Sequence, residues 1–381
     1  MRLAIYTNIV SPHQLPLARE LIRIVGPQNF RYVYAEEFHV GRKNLGWQDE
    51  DEPWMLSRYQ SPAEADTWLQ SCDVLICGIR DWRLLELRCR SDRRSFYASE
   101  RWFKPIPFLN GRLRISGRIR MLIPRYRKMA GEFVRLVKTY RNLTVLPMGV
   151  HAARDMAWLF GGEATAFDRR PGGAVRGKGE ILERIRMWGY FVAPTVGLRS
   201  DAEPENPTSC RLLWAGRMLR LKHVEDVVRA VIQANRKNTG IRYTLDVFGH
   251  GEDEKRIHRL ARGSSCIRFH DPVRIEEVRL LMRQHDIYVF SSNALEGWGA
   301  VVSEALEEGI PVVGTFEAGA SATMLPRSQL YHAGKVRDLE QILHGLRYES
   351  GHWLLNGREM IHSIQKWNAS NAAKAILEMS T

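Results

Sequence analysis

With 381 residues, 44% of them hydrophobic and 26% charged, the chain is too long for one ordinary domain and suits two globular ones, and no stretch supplies the run of roughly 20 apolar residues that a membrane span needs. Five scattered cysteines (Cys72, Cys77, Cys89, Cys210, Cys266) without a C-x-x-C pair argue against a disulfide framework and a zinc site, and read as reduced packing residues. The formal net charge of +13 sets up a field that draws anions.

The chain opens on MRLAIYTNIVSPHQ, a strand followed by a loop. It lacks the basic, apolar and small-residue regions of a secretory signal, so a cytoplasmic setting is expected. Apolar runs then alternate with helical periodicity: LAIYTN, an amphipathic stretch from His13 to Val25, FRYVYA, and DVLICG from Asp73 to Gly78. Such alternation marks βα units on a mostly parallel sheet. From Arg112 to Arg141 ten Arg or Lys stand against one acid, Glu132, a local net of nine positive charges (10 − 1), with apolar residues at helical spacing interrupted at Pro124. TVLPMG and the periodic run from His151 to Phe160 continue the pattern, and WGYF closes it near Phe191.

Ala193 to Ser209 carries three prolines and no periodicity, which reads as a linker. A second βα series follows: RLLWAG, a helix from Lys222 to Arg236, YTLDVFG, a helix near Glu254 to Arg262, CIRF, a helix from Glu276 to His285, DIYVF and PVVGT. After Asp338 the chain reads as helical, ending in a helix with Asn368 or Ser370 as its N-cap. The expected fold class is therefore α/β: two facing Rossmann-like βαβ domains with a cleft between them. The expected bounds are residues 1–195 for the first domain, 196–209 for the linker, 210–364 for the second and 365–381 for the last helix.

The most informative stretch is EGWGAVVSEALEEGIPVV, Glu296 to Val313. The strand DIYVF ends near Ser291, and a helix is expected from Gly299 or Ala300. A helix start offers unsatisfied N–H groups and the positive end of its dipole, which suits a phosphate. Gly297 and Gly299 admit a ligand close to the main chain. Glu296 lies before that seat and Glu304 roughly 8 Å further along the helix axis, so two carboxylates bracket it. A carboxylate accepts two hydrogen bonds side by side and suits a vicinal diol. A nucleotide sugar has a diol at each end and a diphosphate between. RLLWAGRMLRLKH places Arg217 and Lys222 on the loop after a strand, where open α/β sheets bind ligands, and two cations converging on a diphosphate would stabilise charge growing on it as the sugar departs. FGHG, Phe248 to Gly251, is a glycine-rich strand end at which a nucleotide passes near the main chain.

Taken in order, Arg217 and Lys222 in GR-x4-K, FGHGEDEKRI, FHDPVRIEEV, and DIYVFSSNALEGWGAVVSEALEEGIPVVGT with its Glu-x7-Glu resemble the C-terminal half of the family-four retaining glycosyltransferases of GT-B architecture (glycosyl transferases group 1) over about residues 211–320. The resemblance implies a hexosyltransferase-type enzyme, retaining and independent of metal and cofactor. Its donor would be a nucleotide sugar, with a UDP-sugar ahead of GDP- or ADP-sugars. By the same resemblance Arg217 and Lys222 contact the diphosphate, Glu296 the hydroxyls of the transferred sugar, Glu304 the ribose, and the backbone near Val273 the base. Gly216, Gly249, Gly297, Trp298, Gly299 and Ala300 complete the donor site, with Arg217, Lys222 and Glu296 as its catalytic members. The last helix would return to the first domain. Three positions depart from the family pattern: His223 where glycine usually follows the lysine, His250 between the two glycines of FGHG, and Trp298 in place of phenylalanine.

The first domain is expected to take the acceptor. Asn8, Ser11, His13 and His151 lie near strand ends; a neutral imidazole there either binds a sugar hydroxyl or is structural. The basic stretch 112–141 reads as a solvated face, as a surface on anionic lipid suited to a lipid-linked acceptor, or as a nucleic-acid surface; the last lacks any accompanying binding motif and is set aside. Trp47, Trp54 and Trp102 are candidates for stacking on sugars. The reading that follows is transfer to a cell-envelope glycan, lipopolysaccharide or lipid-linked acceptor, by a protein peripheral on the inner face of the cytoplasmic membrane. The alternative is a non-catalytic nucleotide-sugar or glycan binder on the same scaffold. A nicotinamide dehydrogenase is disfavoured because TNIVSPHQ carries no G-x-G-x-x-G after the first strand.

Overall fold

The computed structural model describes residues 1–36, 52–108, 113–193, 208–237 and 240–381. The chain forms two compact units, one of residues 1–193 with 366–381 and one of residues 194–365. Most of the expected linker lies outside the described residues, as does Trp47.

The first unit is built on β1 (Leu3–Thr7), β2 (Phe30–Tyr34), β3 (Met55–Ser57), β4 (Val74–Cys77), β5 (Arg94–Ser99) and β8 (Leu143–Pro147), in the order β3-β2-β1-β4-β5-β8 and all parallel. Every residue of β1 is buried, as expected of a strand covered on both faces. Between β5 and β8 lie the antiparallel pair β6 (Ile106–Phe108) and β7 (Leu113–Ile115), a 3-10 turn at Gly117–Leu122, and the helix Pro124–Thr139. Pro124 stands in the first turn of that helix, where its missing N–H is no loss, so the basic stretch is two helical pieces with the break where the sequence puts it. An antiparallel hairpin, β9 (Glu163–Phe167) with β10 (Val175–Lys178), was not anticipated from the sequence.

Trp54 and Trp102 are core residues, each only 8% exposed, and are withdrawn as sugar platforms. Trp54 packs edge-on to Phe30 and Trp102 lies against Phe133, with its indole N–H donating to Ser99 Oγ at 2.9 Å. The terminal helix Ala369–Ser380 belongs to this unit. Asn368 caps it by accepting from the Asn371 amide, Trp367 stacks on Phe191, and Ala375 lies over Gly172, whose φ of +72° and absent side chain allow that approach.

In the second unit β11 (Ser209–Ala215), β12 (Arg242–Phe248), β13 (Ile267–His270), β14 (Ile287–Phe290), β15 (Val312–Thr315) and β16 (Leu330–Tyr331) form a second all-parallel sheet in the order β13-β12-β11-β14-β15-β16. The chain reverses its direction of growth between β11 and β14, and the crevice outside the carboxyl ends of such a pair is where this topology binds ligands. The helix Val224–Lys237 shows how the pattern works: Val224, Val227, Val228, Val231 and Ala234 form one buried stripe.

The expectation that the chain is helical after Asp338 is corrected. A helix does run over Val336–His344, but β17 (Leu346–Glu349), β18 (His352–Leu355) and β19 (Arg358–Glu359) then form an antiparallel sheet. Ser350-Gly351 and Asn356-Gly357 join them with φ values of +51°, +84°, +52° and +75°. Positive φ at both central residues is the two-residue hairpin turn whose twist matches its strands.

Candidate active site

The loops leaving β11, β12, β14 and β15 are bonded to one another at the carboxyl end of the second sheet. Gly216 N–H donates to the Phe248 carbonyl at 3.0 Å, Met218 N–H to His250 at 2.7 Å, and Asn293 N–H to Leu221 at 2.8 Å. On the far side, Gly319 and Ala320 donate to the carbonyls of Gly297 and Trp298 at 3.1 and 2.8 Å. The stretch Glu296–Gly299 is thus fixed by the β11 loop on one flank and the β15 loop on the other.

Lys222 and Glu296, 74 residues apart, meet in an ion pair that is roughly four-fifths buried on both sides. Arg217 is exposed and makes no ion pair among the described residues. The helix Ala300–Glu307 begins where expected, and its N-cap, Gly299, provides no side-chain cap for the first amides. Glu304 lies one turn in and is 8% exposed. Burial pushes its carboxyl up to about 7; nearby Arg279 opposes the shift, and Glu308 and Glu276 add to it. Tyr288, on β14, donates to the Ala215 carbonyl at 3.0 Å. Burial raises its hydroxyl, the bond to Ala215 opposes that rise, and the negative charges of Glu304 and Glu296 add to it.

Gly299 is required twice over. Its φ is +82°, and a Cβ there would lie 2.7 Å from the Phe290 ring. Gly299→Ala is expected to lower the stability of this unit by about 2 kcal/mol, read as an earlier thermal unfolding transition. An unchanged transition would show that the loop relaxes freely.

The glycines of FGHG have a packing role that the sequence reading did not include. A Cβ on Gly249 would lie 2.0 Å from the Gly216 carbonyl oxygen, and one on Gly251 would lie 2.4 Å from that of Met218. The space is taken by the neighbouring loop's backbone, so these glycines let two loops pack. Trp298 is likewise buried, its indole N–H bonded to Ser303 at 3.3 Å, and only its main chain faces the loop contacts just described. Val273 is partly exposed on the loop after β13. His250 bonds Glu254 at 3.1 Å and Asp271 at 3.3 Å.

His223 stands where glycine is usual, and its backbone explains why: φ is +49°, the left-handed conformation that glycine enters freely. Its ring spans Asp226 at 3.2 Å and Asn293 at 3.2 Å, contacts that hold this backbone and that sequence reading missed. A second cluster that sequence reading missed is centred on β12 of the same sheet. Asp246 on β12 accepts two bonds from Arg268 at 2.9 and 2.7 Å, and contacts the rings of His270 at 2.6 Å and His285 at 3.2 Å. These partners outweigh burial and hold its carboxyl well below the usual range. His270 in turn stacks on Phe248 with ring centroids 4.3 Å apart.

In the first unit Asn8, Ser11 and His13 lie on the loop after β1, and His151 in the first turn of the helix Val150–Leu159 after β8. The His13 carbonyl accepts from Phe191 N–H at 3.1 Å and its ring lies 6.0 Å from that of Tyr190. Burial lowers the His13 imidazole to about 4, so it is neutral at pH 7. A separate groove, with Arg229, Arg236, Arg242 and Arg262 among its lining, opens at the amino end of the second sheet and is no part of this constellation.

Residues 209–344 match the family model described as glycosyl transferases group 1. Among curated proteins, the GtfA subunit of the UDP-N-acetylglucosamine–peptide N-acetylglucosaminyltransferase of Streptococcus pneumoniae is 25% identical over 140 residues, which is 34% of this chain and 27% of that protein. Its Streptococcus gordonii counterpart is 27% identical over 115 residues, 29% of this chain and 21% of that protein. The matches thus span about a quarter of those relatives' length. Among solved structures, the apo lipopolysaccharide outer core galactosyltransferase WaaB is similar with a TM-score of 0.59 at 13% identity, over 100% of this chain and 95% of that one. Anabaena Alr3699/HepE in complex with UDP-glucose is similar with a TM-score of 0.57 at 13% identity, over 99% of each chain. At that identity the likeness speaks for the fold. Residues 209–344 are therefore similar to a glycosyl transferases group 1 domain, and the chain has the two-domain, Rossmann-like fold seen in the GT-B glycosyltransferases.

Proposed function

We propose that the protein is a glycosyltransferase that moves a sugar, with retention of configuration, from a nucleotide-sugar donor to a hydroxyl of a cell-envelope glycan, lipopolysaccharide or lipid-linked acceptor. The observation that carries the reading is the meeting of Lys222 and Glu296 at the β11/β14 switch point, with an uncapped helix start and Glu304 directly behind them. In the donor complex Lys222 turns from Glu296 to the diphosphate, joined by Arg217, and the amides from Gly297 to Ala300 face the phosphate oxygens. Glu296, released, accepts from hydroxyls of the sugar, and Glu304 from the ribose diol. The main chain at Val273 meets the base. As the bond from the anomeric carbon to the diphosphate breaks, the acceptor oxygen bonds to that carbon on the same face, and its proton passes to a diphosphate oxygen. Arg217 and Lys222 stabilise the charge that develops there.

A UDP-sugar is the favoured donor: the curated relatives are named for UDP-N-acetylglucosamine and the HepE structure contains UDP-glucose. The envelope acceptor is suggested by the name of WaaB. Acceptor contacts are assigned to Asn8, Ser11, His13 and His151. A neutral His13 both donates and accepts, as a sugar hydroxyl requires. The reaction draws on no metal, and the protein works from the cytoplasm at the membrane's inner face.

Thermal stabilisation by a panel of UDP-, GDP- and ADP-sugars tests the donor. A ligand at a hundred times its Kd adds about 2.7 kcal/mol to apparent stability, and UDP-sugars are expected to lead. No shift from any of them would remove the donor site. A shift with UDP-sugars but neither transfer nor donor hydrolysis would favour the non-catalytic binder.

A further inference from the structure

Four of the eleven large apolar residues exposed among the described residues fall within nine positions: Ile115, Ile119, Leu122 and Ile123, at 37%, 43%, 76% and 49% exposure. They lie on the segment that ends β7, forms the 3-10 turn Gly117–Leu122 and enters the helix Pro124–Thr139. An exposed leucine alone is ordinary, but such a cluster on one short segment is not.

The segment is held in this display. Gly117 is buried with its backbone against Phe103 and Lys104, where a Cβ would lie 2.4 Å from the Lys104 oxygen. Arg120 donates to the same Lys104 carbonyl at 2.6 Å, Ser116 Oγ accepts from the Arg118 amide, and the Arg118 guanidinium lies 4.5 Å from the Trp158 ring centroid. A framework of hydrogen bonds and packing thus keeps Leu122 and Ile123 outward. Directly after them Arg125, Arg127 and Lys128 are exposed and make no ion pair among the described residues.

We propose that Ile119, Leu122 and Ile123 form an apolar prong that enters the outer layer of an anionic phospholipid bilayer while Arg125, Arg127 and Lys128 lie on its headgroups. Charge selects this occupant. A second copy would bring two strongly basic segments together, with ten basic residues and one acid in each stretch 112–141, and they would repel. Nucleic acid would meet the cations but leave the apolar apex in water. Anionic lipid satisfies both, as interfacial basic and apolar elements do. The docking gives the proposed envelope acceptor a place to be met, and rests on that reading for its use but not for its physics.

Flotation of the full chain with phosphatidylglycerol-containing vesicles, with phosphatidylcholine vesicles as the comparison, tests it. The wild type is expected to float with the former and mostly stay behind with the latter. Leu122→Gln with Ile123→Gln is expected to lower partitioning roughly ten-fold or more. Arg125→Gln with Arg127→Gln and Lys128→Gln should abolish the preference for the anionic lipid. No flotation of the wild type at physiological salt, or flotation that the apolar pair leaves unchanged, overturns the proposal. So does a concentration-dependent dimer in sedimentation that disappears with the apolar pair in the absence of vesicle binding. Thermal stabilisation by UDP, measured on the same samples, keeps the two readings apart: lost flotation with UDP binding intact removes only the prong, and flotation without UDP binding removes only the donor site.

Discussion

Lys222→Ala is expected to lower sugar transfer by about a hundred-fold to a thousand-fold, with Arg217→Ala close behind, because each removes a cation placed where negative charge grows in the transition state. The two should differ in their effect on the resting protein. Arg217 is exposed and its loss leaves nothing stranded, so its melting temperature should stay close to the wild type. Lys222 is paired with a mostly buried Glu296, and alanine leaves that carboxylate without its cation, which lowers stability as well as activity. Adding Glu296→Ala to Lys222→Ala should return much of the lost stability and none of the lost transfer. Thermal unfolding of the single and double variants, beside initial rates with a UDP-sugar, separates these contributions. Activity retained by both Arg217→Ala and Lys222→Ala would place the chemistry elsewhere.

Glu304→Gln is expected to yield a more stable protein and a poorer donor binder. The carboxyl of Glu304 is raised from an ordinary value of 4.5 to about 7 by burial. Below about pH 4.5 both the folded and unfolded chains carry the proton, and the group's relative contribution to stability is fully present. Between pH 4.5 and 7 the unfolded chain gives up the proton while the folded chain keeps it, so stability falls as pH rises, and the decline ends once the folded group has ionised. The loss amounts to as much as about 3 kcal/mol. Glutamine is never ionised and escapes it, so the variant should unfold later than the wild type at pH 8 and alongside it near pH 4. Donor affinity in the wild type should rise through pH 7 as the carboxylate forms, because only the ionised group can accept from both ribose hydroxyls. In the variant that rise should vanish. Equal stability at pH 8 would mean that Glu304 is better solvated than its surroundings suggest, and unchanged donor affinity would remove it from the ribose.

The second unit was the more legible because its signals are local and ordered: strand, glycine loop and helix start follow one another within EGWGAVVSEALEEG, and the helix begins at Ala300 as the glycines indicate. Lys222 and Glu296 were assigned to one donor site through motif order, but their direct ion pair was not foreseen, because nothing in the spacing brings residues 74 apart into contact. The Asp246 cluster was invisible for the opposite reason. Arg268 reaches Asp246 through the β12/β13 register, and His285 arrives from the far end of a helix, so only the assembled sheet makes the group. The strands after residue 345 were written in the sequence as Ser-Gly and Asn-Gly between alternating apolar residues, and a helical expectation overrode them. Trp54 and Trp102 show the limit of residue type: a tryptophan in a sequence carries the same letter whether it stacks on a ligand or fills a core.

The amides of Gly319 and Ala320 holding the carbonyls of Gly297 and Trp298 have a kinetic consequence. A loop already tied at both flanks has little conformational freedom left to surrender when a pyrophosphate arrives. Capture should then be limited by encounter and by the exchange of partners at one lysine, with fast single-phase association in stopped flow and no slow isomerisation trailing it.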